Sequence, residues 1–516
     1  MMKTQQPNHI LYIIAAIMML AMGGLDLSAF SRPAYADEPA VVADPQPLMD
    51  TNAAGLFTLI NAARQNPLET AVSLGMDRQQ VLDSLPGLAD ILTGGLAPLV
   101  FNDRLHRTAG DHNREMLANS YYAYESLDGR TVDQRLRDAG YVPAASGESI
   151  SLIFFKNFIG SDRAVFQIFE KMFKDELSAT FEGQRKILNP ALKELGVSVE
   201  GGVFNFDRFS ANAYIATCDF GARVETYELQ LLHLINQARN NPRAVAAFNG
   251  VDVELFVTTY PEFAGLFASS LPPVQFNRSL YLSAEMKIND ILGNGYSWDE
   301  VSTGLTLDQR ILAVGYPAEW AAESLVRTST CDIPTSPLLT VSRIFNQLFS
   351  GALRTDESRD VNLLSEKAVD AGCRIVAAES VVLGNLCGDH AHVTAGDFGA
   401  GLIKGNPVIT GVVFTDANGN NLYDAGEEVT DAAITIQGPV LNEGGLQKKV
   451  ITDSAGGYAV SVTPGLYLVS VGEGEKLQFN WVQVETANIW QVFKMIPDTP
   501  VASGNEADGA AGDFGG

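Results

Sequence analysis

LFTLINAARQNP, residues 56–67, and LLHLINQARNNP, residues 231–242, decide how this chain is read. Aligned without a gap they share Leu56/Leu231, Leu59/Leu234, Ile60/Ile235, Asn61/Asn236, Ala63/Ala238, Arg64/Arg239, Asn66/Asn241 and Pro67/Pro242, an offset of 175 residues from Asn61 to Asn236. The same offset carries Gly75 onto Gly250, Asp77 onto Asp252, Asn102 onto Asn277, and Leu105 onto Leu280. Farther along it carries Thr131, Asp133, Gln134 and Arg135 onto Thr306, Asp308, Gln309 and Arg310, then Glu148-Ser149 onto Glu323-Ser324. A register held at so many positions is the mark of duplication. Small insertions then shift it, so that Gly196 pairs with Gly372 and Asp219-Phe220-Gly221 with Asp397-Phe398-Gly399; the modules span about residues 50–222 and 226–400.

Each copy opens with apolar residues at helical spacing, in LINAAR or LINQAR, and the first continues with the amphipathic LHRTAGDHNREMLAN. Each ends in alternating segments bounded by glycine, KELGVSVEGG and FSANAYIATCDFG in the first, AGCRIVAAESVVLG and HAHVTAGDFG in the second, which predict short strands. Helices followed by a hairpin predict an α+β fold, with helices layered on a sheet. Past Gly405 the pattern changes to VITGVVFTD, DAAITIQG, KKVITDSAGGYAVSV and GLYLVSV, which predicts an all-β sandwich over residues 406–497. Residues 498–516, VASGNEADGAAGDFGG with the preceding residues, read as a flexible acidic tail.

The chain has 516 residues, a formal net charge of −26 and 46% hydrophobic residues. That is enough apolar content for several cores, and the acidic balance argues against nucleic acid or anionic lipid as a partner. Residues 1–36 read as a secretory signal: Lys3, an apolar stretch from Ile10 to Met22, and a small-x-small cleavage site at Ala34-Tyr35-Ala36, with residues 37–49 as a linker. The competing reading is an uncleaved anchor, for which the apolar run is short. No further run of spanning length follows, so the expectation is a mature protein without a membrane span. The four cysteines, Cys218, Cys331, Cys373 and Cys387, permit disulfides in an exported chain, with Cys373–Cys387 the expected pair across a hairpin.

The opening LINAAR helix, LVFNDRLHRTAGDHNREM, YESLDGRTVDQRLRDAGY, GESI, RKILNPALKELGV and the closing CDFG together resemble the bacterial branch of the CAP (SCP) superfamily, over most of Leu56 to Gly399. The resemblance implies two tandem α-β-α sandwich modules. It also implies a cavity lined by two histidines and glutamates, one of the glutamates matching Glu148 in GESI and Glu323 in AESL. The family's first histidine falls on Tyr124 and Asp299; the second falls near Gly183 or Gln184 and near Ser358 or Arg359. Neither copy therefore supplies the imidazole pair that would hold a metal or polarise water. His112 matches a histidine frequent in the family's second helix, and Lys287 stands at its place in the second copy. The weak catalytic candidates are thus Glu148, Glu323, His112 and Tyr124. His390 and His392, with Asp389, could ligate a metal from one face of a strand, or simply lie on an exposed turn.

DANGNNLYDAGE places oxygen donors at Asp416, Asn418, Asn420, Asp424 and Glu427, loop positions one, three, five, nine and twelve, with the Leu422 carbonyl at seven. This is the spacing of a calcium loop, with Asn421 where glycine is usual; the alternative is an Asx-rich turn without an ion. The whole segment GVVFTDANGNNLYDAGEEVTDAAITI resembles the B-type repeats of bacterial surface adhesins and carboxypeptidase-regulatory-like sandwiches, which implies a spacer or binding module, often with calcium.

The expectation is therefore a secreted bacterial SCP-domain-containing protein of the extracellular space or cell envelope, more a binder than an enzyme. Its ligand would be an extracellular protein, a glycan or a lipid. The alternative is a hydrolase of peptide or cell-wall substrates using Glu148 or Glu323 as general base.

Overall fold

The structure, a computed structural model, describes residues 49–156, 159–181, 183–294, 305–330, 337–356, 360–378, 390–439, 445–472 and 474–495. The expected signal sequence, the tail from 498 on, Cys331, Cys387, Asp299, Ser358, Arg359 and Asp389 lie outside them. The chain forms two compact units, Met1–Leu136 with Ala145–Ala222, and Arg137–Ala144 with Arg223–Gly516.

In the first unit, helix α1 (Thr51–Gln65) starts where the Asp50 carboxylate accepts the amides of Asn52 and Ala53. The motif residues of LINAAR then explain themselves. Leu56, Ile60 and Ala63 are buried one turn apart. Asn61 exchanges hydrogen bonds of 3.0 and 2.7 Å with the carbonyl and amide of Leu99. The buried Arg64 guanidinium donates to four backbone carbonyls, those of Ala97, Ile187, Asn189 and Leu192. Burial lowers its pKa to about 10, which still leaves it charged at neutral pH; neutral carbonyl dipoles satisfy it.

Strand β1 (Val100–Phe101) leads into α2 (Asp103–Asn119), capped by the Asn102 side chain. Short helix α3 (Val132–Asp138), β2 (Pro143–Phe155), α4 (Ser161–Glu176), β3 (Glu194–Phe206) and β4 (Phe209–Arg223) follow, and three short helices, Pro67–Ser73, Arg78–Ser84 and Ala89–Gly94, lie between the first helix and β1. The strand order is β1-β3-β4-β2, with β1 parallel and β4 antiparallel to β3. Leu195, Val197 and Val199 pack with α1 and α4 in one core; the alternate residues Gly196 and Ser198 face α2. The sheet is thus covered on both faces. A Cβ at Gly196 would lie 2.0 Å from the His106 nitrogen, which is why helix and strand need glycine there.

In the second unit the same elements recur: α5 (Thr226–Asn240), β5 (Gln275–Phe276), α6 (Arg278–Asn294), α7 (Leu307–Ala313), β6 (Ala318–Thr330), α8 (Pro337–Ala352), β7 (Asp370–Ala378) and β8 (His390–Gly401). The strand order, β5-β7-β8-β6, is that of the first sheet. Asn236 brackets Val274 as Asn61 brackets Leu99. Arg239 donates to the carbonyls of Pro272, Leu363, Ser365 and Ala368. A Cβ at Gly372 would lie 2.0 Å from the Tyr281 nitrogen.

The second unit also contains β9 (Val408–Thr415), β10 (Ala433–Gly438), β11 (Leu446–Ile451), β12 (Gly457–Ser461), β13 (Gly465–Val471), β14 (Gln478–Val484), β15 (Ile489–Trp490) and β16 (Phe493–Met495). They form one sheet in the order β11-β10-β13-β14 and another around β9, which pairs with β12, β15 and β16. Ile409, Val413, Ile434, Ile436, Val469 and Val482 from the two sheets share one core, so this part is a β-sandwich. The fold class is α+β, as the sequence predicts. Among the described residues no helix is long and apolar enough to cross a membrane. Cys218 and Cys373 are buried free thiols; Cys387, the expected partner of Cys373, lies outside the described residues.

Candidate functional site

In the first unit α2 and β2 bring two of the sequence candidates together: His112 Nδ1 lies 3.0 Å from Glu148 Oε1. Arg135, on α3, donates to the same oxygen at 2.5 Å. Its other terminal nitrogen donates to the carbonyls of Tyr124 and Arg130, at 3.0 and 3.1 Å. The carboxyl of Asp219, on β4, is fully buried beside them. Burial pushes Asp219 well above the ordinary carboxylate range, and the charge of Glu148 pushes the same way against the pull of Arg135. Glu148 and Arg135 balance each other's charge, and the upward shift of Asp219 favours a neutral carboxyl beside them, the arrangement a dry interior tolerates. His112, Arg135, Glu148 and Asp219 are all buried. Tyr124 instead is 55% exposed, and only its backbone carbonyl joins the cluster.

The second unit repeats this arrangement. Arg310, on α7, donates to Glu323, on β6. Asp397, on β8, is again fully buried, its pKa pushed well up first by burial and next by Glu323. The glutamate is somewhat more open than its counterpart, its side chain 16% exposed. Lys287, at the place of His112, is buried as well. A lysine carries one type of donor and no acceptor, so the imidazole chemistry open to the first copy is not available to the second.

This geometry orders what each cluster can do chemically. His112 has one ring nitrogen on a carboxylate and the other, Nε2, buried without a hydrogen-bond partner among the described residues. Such a carboxylate–imidazole pair could orient a general base, but a base must reach its substrate, and both side chains are shut off from solvent in this state. The Glu148 carboxylate holds a structural guanidinium. Of the residues that build the clusters, sequence reasoning singled out Glu148, Glu323 and His112 and missed Arg135, Arg310, Asp219 and Asp397. The signal was present, because these four are charged residues kept in DQR and DFG of both copies, and a charge kept at a buried place has a partner.

The candidate calcium loop follows β9. Asn421 adopts the left-handed conformation, φ 62°, that glycine would otherwise supply at position six. Its amide donates to Asp416 Oδ2 at 3.1 Å, while Glu427 accepts the amides of Ala417 and Asp424 at 2.8 and 3.2 Å. Asn418 Oδ1 and Asn420 Oδ1 accept the amides of Asn420 and Leu422. Each oxygen keeps a second lone pair. The side chain of Asp416 is only 5% exposed and its Oδ1 has no partner among the described residues. Asn418 and Asn420 donate through Nδ2 to Asp424 Oδ2 at 2.8 and 2.6 Å, so the orphaned buried oxygen of Asp416 is the feature here whose chemistry fits a hard cation. Lys494 Nζ lies 3.3 Å from Asp416 Oδ2 and 2.6 Å from Asn421 Oδ1, partly offsetting the charge. Among the described residues no three His, Cys, Asp or Glu side chains converge on a metal position; the loop's donor set relies as much on the Asn418 and Asn420 amides and the Leu422 carbonyl as on carboxylates. Of the other expected metal group, His392 lies on β8, whereas Asp389 and the side chain of His390 fall outside the described residues.

No protein-family profile matches the chain, and no curated protein does. Among solved structures it is similar to an extracellular protein containing an SCP domain from Bacillus anthracis strain Ames, at 18% identity and a TM-score of 0.21. The match covers 36% of this chain and 45% of that one, so the chain spans less than half of that structure's length. At that level the similarity carries no argument about the site.

Proposed function

We propose that this chain is an exported bacterial binding protein of the cell envelope or extracellular space, built from two SCP-like modules and an adhesin B-repeat-like sandwich stiffened by calcium. Its ligand is an extracellular protein, glycan or lipid, and the sandwich serves as a spacer or adhesive unit. The observation that carries this reading is the arginine clamp. Arg135 on Glu148 and Arg310 on Glu323 recur 175 residues apart, each with a buried aspartic acid behind it whose pKa burial raises. What the copies keep is a charge-neutral brace between helix and sheet; what they vary, His112 against Lys287, is the group that chemistry would need. The orphaned, buried Asp416 Oδ1 in a loop with oxygen donors at calcium-loop spacing supports the calcium assignment. Calcium there would be held by Asp416, Asn418, Asn420, Leu422, Asp424 and Glu427 and would supply a cross-link rather than catalysis.

A second reading, a hydrolase of peptide or cell-wall substrates, draws on the 3.0 Å contact between His112 and Glu148. Glu148→Gln and Glu323→Gln separate the two, since the amide keeps the shape and removes the charge. Binding and stability change under the first reading, while turnover is lost only under the second.

A further inference from the structure

The calcium loop is held from outside the sandwich. Tyr423 lies between the position-seven residue Leu422 and the position-nine residue Asp424, and its ring is fully buried in the core shared with α5 and α8. Gln237, on α5, brackets its backbone: Oε1 accepts the Tyr423 amide at 2.6 Å, and Nε2 donates to the Tyr423 carbonyl at 3.0 Å. That amide belongs to the same peptide plane as the Leu422 carbonyl, the position-seven oxygen. In a trans peptide the two point in opposite directions, so fixing the N–H fixes the carbonyl.

Around this bracket the sandwich is tied to the helical module by Gln230 Nε2 to Glu428 Oε1 at 3.2 Å, Thr226 to Ser454 at 2.9 Å, and Asn488 to the Pro273 carbonyl at 3.1 Å. The duplication supplies a control. At the matching places on α1 the first copy carries Gly55 for Gln230 and Ala62 for Gln237, neither able to make such bonds. The second copy alone has residues that read a peptide plane of the loop.

We propose that Gln237 is a positioning residue for the cation loop, so that calcium binding and seating of the sandwich on the second module are one linked equilibrium. This rests on the calcium reading above. The link follows from geometry: the helix pre-orders one of the ligating carbonyls, so the ion binds the seated state more tightly, and by reciprocity the ion strengthens seating.

Calcium titration calorimetry and melting of the full chain test it, comparing wild type with Gln237→Leu and Thr226→Ala. Both variants lose a contact across the same junction, but only the first touches the loop. Gln237→Leu is expected to weaken calcium about 10-fold, the usual loss when an outer-shell partner goes, whereas Thr226→Ala lowers the calcium-free melting temperature and leaves the Kd unchanged. If Gln237→Leu does not fold, hydrogen exchange on wild type replaces it, and calcium is then expected to slow exchange in 226–240. Calcium bound with an unaltered Kd by Gln237→Leu, or with unaltered exchange in 226–240, overturns the linkage and leaves the calcium reading standing. No heat and no melting shift in wild type at millimolar calcium overturns both.

Discussion

Replacing Arg135 by Met keeps much of the stem and removes the charge, and the structure says what that costs. Glu148 loses the guanidinium 2.5 Å away and the carbonyl of Tyr124 loses its donor, while that of Arg130 keeps the Ser126 amide. Removing one partner of a buried ion pair costs about 3–5 kcal/mol, and the orphaned Tyr124 carbonyl adds about 1 kcal/mol. The sum, roughly 5 kcal/mol, is comparable to the whole stability of a small domain, ~5–15 kcal/mol. It corresponds to a melting point lower by roughly 10–20 °C.

The double variant Arg135→Met/Glu148→Leu removes the stranded carboxylate and should regain about 2 kcal/mol. The deficit also depends on pH. Arg135 pulls the Asp219 pKa down against burial, so its loss raises that value further. A group whose folded pKa lies above its unfolded one contributes stability that is fully present below the unfolded value and lost as pH rises through the folded value. The extra deficit of Arg135→Met therefore opens only as pH rises past the wild-type folded value of Asp219, and is absent below it.

Trp320, Trp481 and Trp490 lie in the second unit, and their fluorescence reports on that unit rather than the first. Hydrogen exchange of residues 103–119 in a urea series reports on the first. Additive effects, with coupling under about 0.5 kcal/mol, would mean that water screens the pair and would refute the buried clamp.

Two further outcomes follow from the same contacts. Gly196→Ala drives a methyl group into the backbone of α2, with a contact of 2.0 Å to relieve; overpacking of about 3 kcal/mol should appear as a lower melting point of the first unit. Lys494→Met removes the ammonium beside Asp416 Oδ2, and because that lysine is half exposed the gain in calcium affinity should be only a few-fold in calorimetry. A weaker affinity would show that Lys494 supports the loop rather than competing with the ion.

The recurring order of helices and strands was legible because its key contacts repeat locally coded devices: a capping asparagine, a glycine under a helix, an arginine reading carbonyls. The α+β class followed from periodicity for the same reason. Glu148, Glu323 and His112 were found through resemblance, but their partners were not, since Asp219 meets Glu148 only through the pairing of β4 with β2, and Arg135, 13 residues before Glu148, reaches it from a separate helix. The loop's oxygen rhythm is contiguous in sequence and so was visible. Its tie to Gln237, 186 residues away, was not. Comparing the helix α5 with α1 gives the one sequence hint, polar residues on a face where the first copy carries small ones.

The central claim, that both glutamates brace a scaffold and perform no chemistry, meets its most direct test in turnover. Purified full-length protein and its Glu148→Gln/Glu323→Gln variant would be compared on peptide and cell-wall substrates, followed by product release, with urea unfolding in parallel. The account predicts no release above background from either protein and a measurable loss of stability in the variant. Release by wild type that disappears in the variant while the fold persists would contradict it.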